Sequence, residues 1–205
     1  MATKNSSSTT VEITGINLQT MNLRVIGDTP LITHRWSEKA KRMMLDKQMG
    51  KAVGKKEAKD PEADYESSIY RMEDGSPAFP AAGFKAATVG ACRQYKSLPM
   101  TTAKLVIFIH GEINAQGESL VKINGAPKMR EDMVRLETGV ADIRYRAQFW
   151  PWSADLRVTF NANVISAEQV INLLNAGGMG GIGEWRPSAP KSSTGDFGRY
   201  HVEAG

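Results

Sequence analysis

A glycine-rich segment near the C-terminus constrains the fold of this chain more than any other feature. Five of the seven residues from 177 to 183 are glycine, and they follow a helical pattern that runs from Ser166 to Leu174. A strand-like sequence then runs from Arg199 to Val202. Glycine tolerates positive φ and lets another backbone approach closely. This helix–loop–strand unit therefore predicts a surface that binds an extended, charged ligand.

The side chains near these glycines suit such a ligand. They are three aromatic residues that could stack and two arginines that could pair with negative charge: Trp185, Phe197, Tyr200, Arg186 and Arg199. A flexible loop that leads into a C-terminal strand is the alternative interpretation.

The remaining periodicity predicts an α+β protein. Apolar alternation indicates strands near the N-terminus, Ser37 is an N-cap for a helix, and Pro80 opens a helix rich in alanine and glycine. Several strands follow Pro99, and a helix begins at Ser166. This order fits a ferredoxin-like, RRM-type (βαββαβ) core with insertions. The predicted strands cover residues 11–26, 31–36, 104–113, 120–123, 128–136, 143–149, 156–164 and 199–202.

Charge is segregated into a basic block followed by an acidic block. Residues 35–59 hold nine lysines and arginines against three acids, whereas residues 60–74 hold six acids against Arg71 alone. Such blocks can bind a polyanion, or can pair head to tail with a neighbouring copy of the chain. A solvated helix face followed by a charged loop is the alternative.

Composition restricts the class of protein. The single cysteine, Cys92, can form no disulfide within the chain and no cysteine metal cluster. The spacing of histidines suits no metal site either, so we expect neither a metal nor a cofactor. The sequence holds no run of about 18 apolar residues, the length that a membrane helix needs. These features predict a cytoplasmic protein in a reducing compartment, with no membrane partner.

The domain organisation predicted from the sequence is simple. Residues 1–10 are polar and rich in serine and threonine, which indicates a disordered lead-in without the apolar core of a signal peptide. Residues 11–205 are predicted to form a single domain. A mobile basic insertion is expected around residues 37–72, where there is little to bury.

Two segments resemble a known superfamily. Residues 75–87, Gly-Ser-Pro-Ala-Phe-Pro-Ala-Ala-Gly-Phe-Lys-Ala-Ala, are similar to the G-x-P-x-I-P-G-S-S-L-K-G-A signature of the repeat-associated RNA-binding (RAMP) superfamily. The similarity is greatest to Cas7-like backbone subunits of CRISPR effector complexes. Residues 177–202 resemble the G-G-x-x-x-x-G-x-G-R loop and final strand of the same superfamily. Lys85 matches the lysine of the signature, whereas Ala82 and Gly83 replace its two serines.

The resemblance implies a palm-like, Cas7-like domain that binds the backbone of single-stranded nucleic acid without catalysis and polymerises head to tail along it. RNA is the favoured ligand, and single-stranded DNA is the rival if the protein serves phage replication or recombination. A bacterial, phage-encoded homologue that contacts other effector-complex subunits fits this interpretation.

In such a protein, basic groups contact phosphates and aromatic groups stack on bases. We expect stacking from two tryptophans, Trp36 and Trp185. The other predicted contact residues are Arg35, Lys51, Lys55, Lys56, Lys85, Arg93, Gly181, Gly183, Arg186 and Arg199.

Two other functions stay open at this point. Some RAMP-like proteins are metal-independent endoribonucleases that use histidine as a general base, and His34 beside Arg35 is the candidate here. The second is a phage protein that mimics or inhibits a CRISPR effector by binding its subunits. Such an inhibitor would bind no nucleic acid alone.

Overall fold

The structure, a computed structural model, describes residues 14–51, 58–135, 139–190 and 193–204. Within these ranges the chain forms eleven strands, five α-helices and one short 3₁₀ helix, Cys92–Gln94. The strands are β1 (Leu18–Gly27), β2 (Leu31–Thr33), β3 (Tyr70–Arg71), β4 (Pro77–Pro80), β5 (Ile107–His110), β6 (Glu112–Ile113), β7 (Ser119–Asn124), β8 (Pro127–Arg135), β9 (Ala141–Phe149), β10 (Ser153–Asn161) and β11 (Tyr200–Val202). The helices are α1 (Glu38–Gln48), α2 (Pro61–Ser67), α3 (Ala81–Ala91), α4 (Met100–Val106) and α5 (Ala167–Gly180). The predicted lead-in, residues 1–10, lies outside the described residues.

The core of the fold has βαββαβ connectivity. Its antiparallel sheet has the order β11-β1-β10-β7. Strand β5 also pairs with β10, at residues 157–160, whereas β7 pairs with residues 153 and 154. Strands β5 and β7 therefore act as one interrupted strand. Helices α3 and α5 pack against each other on one face of this sheet. In chain order the core is β1, α3, β5 with β7, β10, α5 and β11. This arrangement confirms the predicted α+β, ferredoxin-like fold class.

Alternation along β10 shows how the sequence specifies the two faces of this sheet. Its alternate residues Ala154, Leu156, Val158 and Phe160 are buried under the helices, whereas Asp155 and Arg157 between them are exposed. A period of two in hydrophobicity is what a strand with one covered face requires.

An aromatic cluster joins the last strand to the helical layer. The buried ring of Tyr200 packs edge-on against Phe84 of α3 at 5.7 Å and against Trp152 at 6.2 Å between ring centres. Such edge-to-face pairs add about 0.5–1.5 kcal/mol to the hydrophobic effect. The cluster therefore fixes the end of the chain next to α3.

Two insertions decorate the core. The first lies between β1 and α3 and contains β2, α1, α2, β3 and β4, and the second is the β8–β9 hairpin between β7 and β10. Strand β2 pairs with β9, which creates a second antiparallel sheet of order β2-β9-β8. The backbone N–H of Ala147 in β9 donates a 2.8 Å hydrogen bond to Ser68 Oγ at the end of α2. This second sheet is the surface on which the C-terminal glycine-rich segment packs.

Local structure differs from the sequence prediction most clearly at two helices, α4 and α2. The strand predicted over residues 104–113 begins only at Ile107, because α4 starts directly after Pro99 and includes residues 104–106. Helix α2 was not predicted, although Asp60 caps it by accepting N–H hydrogen bonds of 3.1 Å from Glu62 and Ala63. The helix predicted from Ser37 is confirmed as α1. Mobility of the range 37–72 stays a prediction.

Candidate nucleic-acid interface

A cleft of about 580 Å³ lies between α3 and the loop that follows α5. We call residues 181–190 and 193–199 the tail loop. Small residues form most of the cleft wall, so that a ligand in it would meet backbone as much as side chains. On the helices these small residues are Gly83, Ala86, Ala87, Gly90, Ala91, Ala176, Gly177 and Gly180. The polar side chains in the lining are those of His34, Arg93, Gln94, Glu184, Arg186 and Ser188.

Close contact between α3 and α5 explains why the cleft wall is built from small residues. A Cβ atom at Gly177 would stand 2.8 Å from the carbonyl carbon of Ala87, a distance that side chains do not tolerate. A Cβ atom at Gly83 would overlap the ring of Phe79. The two helices can therefore approach each other only where their residues are small.

The tail loop is held against β2 by backbone hydrogen bonds. Glu184 N–H donates to the carbonyl of Ile32 at 2.9 Å, and Gly198 N–H donates to the carbonyl of Pro30 at 2.8 Å. Gly183 has φ +76°, and a Cβ there would overlap the carbonyl oxygen of Ile32. Gly181 has φ +70° as the C-cap of α5. Both predicted glycines thus have a conformation and a close contact that disfavour a side chain.

Two arginines supply positive charge to the cleft. Arg93 has no ion-pair partner among the residues that the structure describes. Arg186 donates a 2.8 Å hydrogen bond from Nη1 to the carbonyl of Gly183, which orients its guanidinium at the rim of the cleft. Both groups can donate charge-assisted hydrogen bonds to an anion.

His34 lines the same cleft as these arginines. Its Nδ1 lies 4.0 Å from Glu184 Oε1, and both side chains are about one-third exposed. Burial lowers the pKa of His34 below its ordinary value of 6.5, and the positive charge of Arg146 lowers it further, whereas Glu184 opposes the shift. The imidazole is therefore neutral at pH 7.

Ion pairs between Glu184 of the tail loop and buried charges of the second sheet anchor the loop to that sheet. Arg146 is 2% exposed, and its guanidinium lies 3.7 Å from Asp132 and 3.6 Å from Glu184. Arg130 forms a 2.7 Å ion pair with the same Asp132. Charge–charge attraction across a buried site is much stronger than at a surface. These residues were not predicted to act together, although the alternation of β9 places Arg144 and Arg146 on one face.

Trp185 and Phe197 cover these arginines. The Trp185 ring centre lies 5.3 Å from the guanidinium carbons of Arg130 and Arg146, and Arg130 lies 4.8 Å from the Phe197 ring centre. Trp185 also has φ +53°, which is uncommon for a residue with a side chain. Trp185, predicted to stack on a base, thus packs on protein cations in this structure.

The structure brings together only some of the predicted contact residues. Arg93, Gly181, Gly183 and Arg186 line the cleft, together with the alternative residue His34. The other described residues lie away from its lining. Three of them form ion pairs: Arg35 with Glu118 at 3.3 Å, Lys51 with Asp46 at 2.9 Å, and Arg199 with Asp196 at 2.8 Å. Lys85 lies 4.5 Å from the Phe108 ring centre. The last two are Trp36, which is 55% exposed, and Trp185. Lys55 and Lys56 lie outside the described residues.

Within the described ranges, no three His, Cys, Asp or Glu side chains are grouped so that they could hold a metal ion. None of the helices in those same ranges has the length and hydropathy to cross a membrane.

The fold places the chain in the α+β class, with a ferredoxin-like core and antiparallel sheets. No protein family and no curated protein matches the sequence. Among the solved structures that match is the crystal structure of Cmr6 from Pyrococcus furiosus, with a TM-score of 0.41 and 9% sequence identity. The match covers 92% of this chain and 100% of that chain. Function therefore has to be inferred from the chain's own residues.

Proposed function

We propose that this protein binds single-stranded nucleic acid in the cleft between α3 and the tail loop. The observation that carries the proposal is a groove of small residues with two arginines, of which Arg93 has no acidic partner among the described residues. A glycine- and alanine-lined wall admits a ligand backbone, and arginines in the same lining can pair with phosphates. RNA is the favoured ligand because two motifs resemble those of the RAMP superfamily, with single-stranded DNA as the rival.

We also propose that copies of the chain associate head to tail along the strand, as Cas7-like backbone subunits do. Helix α1 has no buried residue, and it exposes Met43, Met44 and Leu45 together with basic side chains. Helix α2 carries Glu62 and Asp64 in its first turn. An exposed apolar and basic helix on one copy and an acidic helix on the next would complement each other.

Loss of either cleft arginine is expected to weaken binding. Arg93→Gln and Arg186→Gln should each lower affinity by about tenfold. Each should also reduce the slope of log affinity against log salt concentration by the amount that corresponds to about one phosphate contact. The measurement is fluorescence anisotropy with labelled single-stranded RNA, single-stranded DNA and duplex at several salt concentrations. Size-exclusion chromatography of the complexes on strands of increasing length tests the head-to-tail association.

Lys104→Gln is the matched control, because Lys104 is an exposed cation of α4 that does not line the cleft. This variant removes the same charge and should leave affinity almost unchanged. If it weakens binding as much as Arg93→Gln, binding depends on net charge and not on the cleft. Failure of the unmodified protein to bind any of the three nucleic acids would rule out the proposed function.

His34 supports a second candidate, a histidine-dependent ribonuclease. A neutral imidazole in the lining of the cleft can act as a general base, and its lowered pKa favours this neutral form. In that case His34→Ala should abolish RNA cleavage while RNA affinity stays within about twofold. The wild-type rate should fall as pH drops through the lowered pKa, because protonation removes the base. Gel analysis of end-labelled RNA checks this, and cleavage that survives in His34→Ala would exclude His34 as the base.

A further inference from the structure

The face of the core sheet opposite α3 and α5 carries a grid of mostly polar residues that are exposed or half-buried. Residues directly opposite each other in antiparallel strands share a face. The register aligns Thr20 with Thr159 and Phe108 in one row, and Asn22 with Arg157 and His110 in the next. We call these six residues the open face.

Hydrogen bonds across the strands confirm that these side chains are neighbours. Thr159 Oγ1 lies 2.7 Å from Thr20 Oγ1 and 2.8 Å from His110 Nε2. Phe108 precedes His110 by two residues and therefore points to the same side of β5. Phe108 is 40% exposed, so part of its ring is open to solvent.

Positive charge surrounds this exposed ring. Arg157 lies in the middle of the second row, between the exposed residues Asn22 and His110. It has no ion-pair partner among the described residues. The nearest acid on its strand, Asp155, is bound by Arg24 at 2.9 Å and by Asn124 at 3.3 Å. The Lys85 ammonium lies 4.5 Å from the Phe108 ring centre at the edge of the sheet.

We propose that the open face is a second site for single-stranded nucleic acid, in which Phe108 stacks on a base and Arg157 contacts a phosphate. The proposal rests on the proposed function, because it assigns the same class of ligand to a different surface. An exposed aromatic ring next to unpaired cations on a flat polar sheet suits a base and its phosphate. A protein partner would favour a larger apolar area with fewer charges at its centre.

In the proposed second site, Lys85 would contact a phosphate. This lysine does not line the cleft, but it lies within reach of a phosphate that flanks a base on Phe108. Cleft and open face lie on opposite sides of the core sheet. A short strand can therefore occupy only one of them, and a long strand would have to pass around the edge at β5.

The test is calorimetric titration with a short oligouridylate that is too short to span both surfaces. The unmodified protein should bind two strands per chain, whereas the Phe108→Leu/Arg157→Gln double variant should bind one. Each single substitution should weaken the second site by about tenfold. Phe108→Tyr keeps an aromatic ring and should retain both sites, which separates stacking from a loss of folding. Thermal melting of each variant checks that the fold is intact.

The outcomes distinguish this inference from the proposed function. If the open-face variants keep the affinity and stoichiometry of the unmodified protein, the inference is wrong, and the open face is left for a protein partner. If Arg93→Gln/Arg186→Gln changes nothing while the open-face variants abolish binding, the cleft proposal fails and the inference stands. Loss of one site in each double variant supports both. Absence of binding in the unmodified protein overturns both.

Discussion

Replacing Gly178 with alanine is expected to unfold the protein or to lower its free energy of unfolding by at least about 4 kcal/mol. Gly178 lies in α5, where a Cβ atom would overlap the carbonyl oxygen of Tyr200. That carbonyl belongs to β11, and Tyr200 is itself fully enclosed in the aromatic cluster. Neither the helix nor the strand can move without breaking the core, so the overlap cannot be relieved cheaply. Urea denaturation followed by circular dichroism measures the loss.

Gly180→Ala in the same helix is the matched control. Its Cβ would meet only Ser188 Cβ, at 3.5 Å, which is an ordinary contact. Because alanine costs less backbone entropy than glycine in a helix, this change should leave stability unaltered or raise it by about 0.5–1 kcal/mol. If the two substitutions change the free energy of unfolding equally, α5 and β11 are further apart than they are in the structure.

Replacing Arg146 with methionine is expected to destabilise the protein by about 3 kcal/mol. Methionine fills most of the space but leaves Asp132, which is 5% exposed, and Glu184 without their shared cation. Asp132 keeps its ion pair with Arg130, which limits the loss. Loosening Glu184 should also release the tail loop. Increased hydrogen exchange at residues 182–185, together with chemical denaturation, checks both effects.

Arg24→Met is the control for Arg146, because the Arg24–Asp155 ion pair is exposed. Exposed ion pairs contribute little to stability, so this variant should melt close to the unmodified protein. The double variant Arg146→Met/Asp132→Leu removes both buried charges and should recover part of the loss. If Arg146→Met and Arg24→Met behave alike, the buried cation does not hold the tail loop.

The core connectivity could be predicted from the sequence because its signals are local. The alternation of β10 is visible in the residues themselves, and Ser166 caps α5 through a reciprocal bond with Gln169. The cap also accounts for the exact start of that helix. The helical pattern was predicted only as far as Leu174, whereas packing of the following glycines against α3 and β11 keeps the chain helical up to Gly180.

The candidate site could be predicted only in part. The tail glycines and Arg186 were predicted from sequence, and both lie in the cleft. Trp185 was predicted to stack on a ligand, but its ring packs on Arg130 and Arg146, which are about 40 to 55 residues away in the chain. Contacts over such sequence distances leave no periodic signal that a single sequence reveals.

By itself, the sequence determined where α1 and α5 start, which faces of the strands are apolar, and that a glycine-rich loop joins the last helix to the last strand. These features depend on near neighbours, through capping, alternation and the freedom of glycine. Only the tertiary structure decided that the tail loop packs on β2, that Arg93 and His34 face the same cleft, and that Phe108 and Arg157 share the open face. Each depends on which strands pair and in which register, and pairing is set by the packing of the whole core.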